Sequence, residues 1–181
     1  MSHPNKLNVV QQQFIEELIK EIRKSLLFPR SLPLSEQYPE PPLANIRRII
    51  LSSYGMISVN LKQRKVRLLE NNINEQKEGN AWEGSPFAQI ETAMAYQYGI
   101  PLLLIRETDV EKIGVWSLGI GPFVILEWSS EAENPVEEFF QRNHWNSIFQ
   151  SWIGHVRTGY YIKTQPEYQY SCFNRSENMQ I

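Results

Sequence analysis

A chain of 181 residues, 41% of them hydrophobic, is long enough for one domain with a substantial core; the reading places it over residues 1–158, with a polar tail over 159–181. A formal charge of −2 gives no general basic field, so nucleic acid is not an expected partner, and the cluster Lys62, Arg64, Lys65 and Arg67 reads as a solvated loop. The lone Cys172 excludes an internal disulfide, no apolar run has the length of a membrane span or signal peptide, and His3, His144 and His155 lack ligand spacing; the expectation is a cytoplasmic protein without metal or cofactor.

Taken in order, residues 1–8 form no strand. Val10, Phe14, Ile15, Leu18, Ile19, Ile22 and Leu26 then mark one face of an amphipathic helix. Leu26, Leu27 and Phe28 suggest a short strand before Pro29, and Pro33, Pro39, Pro41 and Pro42 punctuate an irregular surface connection. Leu43, Ile46, Ile49 and Ile50 outline a second helix, followed by a strand over Met56, Ile57, Val59 and Leu61. From Lys62 to Gly84 the composition becomes polar, which predicts an exposed insertion overhanging the strand end.

The next stretch organises the rest. Ser85 suits an N-cap and Pro86 the first helical position, where its missing N–H costs nothing. Phe87, Ile90, Met94 and Tyr98 recur at helical spacing as the expected packing stripe, Gly99 suits a left-handed C-terminal turn, and Pro101 prevents continuation. Leu102–Ile105 is then apolar without alternation, as in a strand covered on both faces. Glu91 lies off the Phe87/Ile90/Met94 stripe, near the helix start; in open α/β sheets ligands collect where helices begin beyond the strand carboxyl ends. The plain alternative for Glu91 is a solvated surface residue.

Residues 107–121 are expected as loop and Phe123–Trp128 as a strand. Asn134-Pro135-Val136-Glu137 combines an N-cap, a first-turn proline and a capping-box glutamate, and opens an aromatic-rich helical region through Phe139, Phe140, Phe149, Trp152 and Val156. That aromatic stripe reads as core packing.

With these elements laid out, the chain resembles the nucleoside 2-deoxyribosyltransferase-like proteins, relatives of TIR domains, over roughly residues 9 to 128. Four passages carry the resemblance: Gln11-Gln12-Gln13-Phe14-Ile15; Pro42-Leu43-Ala44-Asn45-Ile46-Arg47; Ser53-Tyr54-Gly55-Met56-Ile57; and the most specific, Ser85-Pro86-Phe87-Ala88-Gln89-Ile90-Glu91-Thr92-Ala93-Met94-Ala95-Tyr96 with Gly99-Ile100-Pro101-Leu102. The resemblance implies a flavodoxin-like (Rossmann-like) three-layer α/β fold with a parallel sheet of 4–5 strands. It also implies a helix-borne glutamate, here Glu91, acting at the anomeric carbon of a nucleoside, a nucleotide or NAD. Trp82 or Tyr54 is a candidate to stack on the base, with simple packing as the alternative for each, and the helix start from Ser85 through Phe87 to Ala88 is a candidate to receive a hydroxyl or phosphate.

Members of that group open with a short apolar strand, a small polar loop and then the first helix; Met1-Ser2-His3-Pro4-Asn5 looks like that loop without its strand. In a flavodoxin-like order the first strand lies inside the sheet, so its absence leaves backbone groups unpaired. Three expectations stand: a start upstream, a substitute from Leu7 to Val10 or elsewhere, or a remnant with a damaged site. The functional expectations are accordingly an enzyme cleaving or exchanging an N-glycosidic bond, a non-catalytic nucleotide-binding or signalling module that is an inactive, N-terminally truncated relative, or a homo-oligomeric assembly built through the aromatic helix or open sheet.

Overall fold

The structure, a computed structural model, describes residues 1–32, 41–68, 79–117 and 124–164, and statements of what is present refer to these. In chain order the elements are α1 (Val9–Lys24), α2 (Pro42–Leu51), β1 (Met56–Asn60), β2 (Arg64–Leu68), β3 (Gly79–Glu83), α3 (Pro86–Gln97), β4 (Leu102–Glu107), a 3₁₀ turn (Gly114–Trp116), β5 (Ile125–Trp128), α4 (Pro135–Phe140) and α5 (Asn143–Thr164). The fold is mixed α/β: β1, β4 and β5 form a three-stranded parallel sheet in the order β1-β4-β5, in register Ile57 with Leu103 and Leu104 with Ile125. Among the described residues no helix is long and apolar enough to cross a membrane.

Side chains alternate across a strand, so each face of this sheet carries its own set. Ile57, Val59, Leu103, Ile105, Leu126 and Trp128 join Phe14 and Leu18 of α1, Phe139 of α4 and Trp145, Phe149 and Trp152 of α5 in one cluster. Met56 faces the other way, against Ile46 and Ile50 of α2 and Ala95 of α3, while Leu104 meets Ala88 and Trp116. Both faces are covered, which is why the strand sequences lack a polar alternation.

Several expectations change. The sheet has three strands among the described residues instead of 4–5, and Leu26–Phe28 is not one of them. There α1 ends in a left-handed residue, Leu26 at φ 57°, whose N–H donates to the Arg23 carbonyl, and the chain turns away with Leu26 and Phe28 exposed. The polar insertion holds an antiparallel hairpin, β2 with β3, clasped by the Arg64–Glu83 ion pair; residues 69–78 lie outside the described ones. Asn134 makes no side-chain cap, and its N–H is taken at 3.0 Å by Glu138 in place of Glu137. Helix α5 runs to Thr164, into the stretch expected as tail, whereas 165–181, like the proline-marked 33–40 and Phe123, lie outside the described residues.

On the edge of β1 away from β4, Ser2 makes an isolated parallel bridge with Ser58: its N–H donates to Ile57 at 2.8 Å and its carbonyl accepts from Val59 at 2.9 Å. Pro4 has no N–H with which to continue the ladder. Leu7 to Val10 does not substitute for a strand, because Asn8 caps α1 through a capping box with Gln11.

Candidate functional site

The position of α3 follows from two contacts with β1. Thr92, fully buried, donates its hydroxyl to Ser58 at 2.9 Å, and Asn60, at the strand's carboxyl end, accepts the Ser85 N–H at 3.1 Å. A side chain at Gly84 would collide with Asn60 at 1.8 Å, so glycine is what lets the chain pass from β3 into α3 here. The face of α3 that meets the sheet is Ala88, Thr92 and Ala95. This corrects the expected stripe: Phe87 and Ile90 are 48% and 40% exposed, because only small side chains allow the helix to sit this close to β1.

That rotation turns Glu91 toward the β1 edge. A cavity of about 550 Å³ runs along this edge, from Ser85, Phe87 and Glu91 at the carboxyl end to Gly55, Met56 and Ile100 at the amino end. The Met1–Asn5 segment lines it on one side and α2, through Asn45, Ile46, Ile49 and Ile50, on the other. Glu91 is partly buried, and burial raises its pKa above the ordinary carboxyl value; a hydrogen bond from the Ser2 side chain and the positive N-terminal amino group oppose that rise. Ser58 thus anchors both neighbours of the site, since Ser2 bridges to it across the sheet edge and Thr92, next to Glu91 on α3, bonds its hydroxyl.

His3 is the other titratable side chain in the described lining. Its Nδ1 lies 2.9 Å from the Pro4 carbonyl, which can only accept, so the proton sits on Nδ1; Nε2 is buried without a partner. Burial lowers the His3 pKa, with the Pro4 bond opposing.

Glu91, Ser85 and Phe87 therefore share one cavity, and the two aromatic residues expected to stack on a base lie elsewhere. Tyr54 lines a separate cavity of about 270 Å³ with Trp152 and Val156, and packs edge-on to Tyr160 at 5.1 Å. Trp82 lies under Lys62, 5.9 Å from its ammonium, and its carbonyl accepts the Glu111 N–H at 3.0 Å. At the helix start Ser85 N–H is held by Asn60, Pro86 has none and Ala88 N–H donates to the Ser85 carbonyl at 3.0 Å, which leaves the N–H of cavity-lining Phe87 outside those bonds. Ser2, His3 and Asn45 are lining residues that the sequence reading did not single out, although the small polar run Ser2-His3-Pro4-Asn5 carried the signal of a site loop.

A second polar centre lies at the carboxyl end of β4. Glu107, 1% exposed, accepts from Gln11 at 2.8 Å, from the Lys62 N–H at 2.9 Å and from the Ser130 hydroxyl, which ties α1, the β1–β2 connection and the β5–α4 connection together. Both oxygens are engaged, which fixes the carboxyl group in place. Among the described residues no group of three or more His, Cys, Asp and Glu is placed to hold a metal ion.

No family model, curated protein or solved structure matches this chain.

Proposed function

We propose that the chain is a flavodoxin-like domain of the nucleoside 2-deoxyribosyltransferase-like kind that cleaves or exchanges the N-glycosidic bond of a nucleoside, nucleotide or NAD, with Glu91 acting at the anomeric carbon. The observation that carries this is the partly buried Glu91 carboxyl group in a cavity along the edge of a parallel sheet, reached from the helix that begins beyond the carboxyl end of β1. The flavodoxin-like layering is supported by apolar clusters on both sheet faces and by Ser2 pairing outside β1, where such an order puts its first strand.

Breaking an N-glycosidic bond leaves positive charge on the sugar. A fixed carboxylate beside the anomeric carbon compensates it, or attacks and holds the sugar until water or an acceptor base takes it. The apolar wall of Ile46, Ile49 and Ile50 lowers the local dielectric and strengthens that effect. The test is incubation of the purified protein with deoxynucleosides, ribonucleosides and NAD while free base is followed. Release that disappears in Glu91→Gln supports the reading; release that persists in that variant removes Glu91 from it.

A second reading, a module that binds a nucleotide without consuming it, is favoured by the scarcity of titratable groups around Glu91. In that case a ligand raises the melting temperature and is recovered intact.

A further inference from the structure

We infer that the amino-terminal half of the Glu91 cavity is a subsite for an apolar arm on the base, so that the N-glycosides taken best carry an aryl or alkyl substituent there; this rests on the reading of Glu91 given above. Length is the first reason. The cavity follows the β1 edge from Ser85 and Glu91 to Gly55 and Ile100. From Glu91 to its end at Gln97, α3 advances about 9 Å at ~1.5 Å per residue, and Ile100 lies further on. A sugar whose anomeric carbon sits at Glu91, with its ring toward the carboxyl end, leaves the Ile100 end to the base and to whatever the base carries. The carboxyl end suits the sugar hydroxyls, because Ser85 stands there and the Phe87 N–H lies outside the bonds that close the start of α3.

The wall is the second reason. Ile46, Ile49 and Ile50 of α2, Met56 of β1 and Ile100 after α3 all line the cavity. Ile46, Ile50, Met56 and Ile100 also belong, with Ala95, to the apolar cluster between the two helices and the sheet, so this end of the cavity is the open flank of a core layer. Three separate elements hold the wall, which makes the space preformed. Ser31, Asn45 and Ser53 line the cavity too, and the Ser53 hydroxyl donates to the Ile49 carbonyl at 2.6 Å, which satisfies it on its own helix end. Isoleucine and methionine side chains offer water no hydrogen bonds, so a space they wall gains more from an apolar group than from water. Taking an aryl surface of on the order of 100 Å² out of water corresponds to about 50-fold in affinity.

The experiment compares kcat/KM for base release within two matched pairs: purine riboside with 6-phenylpurine riboside, and uridine with 5-phenyluridine. In whichever pair is cleaved, the phenyl member should lead by about 50-fold, mainly through a lower KM, and a carboxyl group in place of the phenyl should bring no gain. Ile49→Phe puts a ring into the same space and should cut the phenyl preference about tenfold; Ile100→Phe is the second variant, and melting temperatures show that both are folded. The preference is read as a ratio, so a loss common to both members of a pair cancels. Phenyl members cleaved no better than their parents overturn the subsite and leave the role of Glu91 standing. No base from any of the four, with the phenyl members recovered intact and raising the melting temperature more than their parents, overturns the glycosidic reading and supports the subsite. Neither release nor a rise in melting temperature overturns both.

Discussion

Glu91 makes a pH signature that a surface glutamate would not. Its pKa is raised in the folded chain, so the folded state holds the proton more tightly than the unfolded one. The stabilisation linked to that proton is full below the unfolded pKa and gone once pH passes the folded pKa. As pH rises above the ordinary carboxyl range of ~4, the melting temperature of the native protein should therefore fall relative to that of Glu91→Gln, measured by calorimetry in both; parallel curves would mean an ordinary, solvated carboxyl. Glu107 makes the contrasting case, because its loss strands the Gln11 amide, the Lys62 N–H and the Ser130 hydroxyl in a buried place. Glu107→Ala should cost about 3 kcal/mol or more in denaturant unfolding. Glu91 was legible because a proline-started helix and a following apolar strand fixed its place in the chain. Ser2, His3 and Glu107 were not, since pairing a terminal segment with β1 and burying a strand-end carboxyl depend on neighbours distant in sequence.

The elements themselves were largely visible, but the faces they present were less so. Helix α3 starts at Pro86 and ends before Gly99 at φ 64°, as its punctuation requires. Its apolar stripe pointed the wrong way because periodicity ranks side chains by hydrophobicity, whereas a helix against a sheet is positioned by whatever lets it approach. Ala88, 1% exposed beneath Leu104 and Trp116, therefore has no room to grow. Ala88→Leu should cost about 1–3 kcal/mol, while the same change at exposed Ala93 should leave stability within about 0.5 kcal/mol. The short strand expected at Leu26–Phe28 failed for a related reason: three apolar residues suit a strand or a helix-ending turn equally, and the left-handed Leu26 decided it.

At the scale of the molecule, the parallel sheet separates one large apolar cluster on one face from two smaller ones on the other. The larger is built on Phe14, stacked on Trp128 at 4.2 Å and edge-on to Phe139 at 5.1 Å, and it joins α1, β5 and α4. Phe14→Ala should cost about 3–5 kcal/mol and leave the Glu91 cavity, on the other face, with its ligand preference unchanged in substrate competition. The class of the fold could be read from helix–strand alternation; the number of strands could not, because among the described residues the outer β1 edge is paired by Ser2 alone and the hairpin comes from a polar insertion. The same open edge leaves the space in which Glu91 sits. Base release from nicotinamide riboside by the native protein and by Glu91→Gln, at matched melting temperatures, tests this most directly. A fall in kcat/KM of about 100-fold or more in the variant is the predicted result, and equal rates in the two proteins would contradict it.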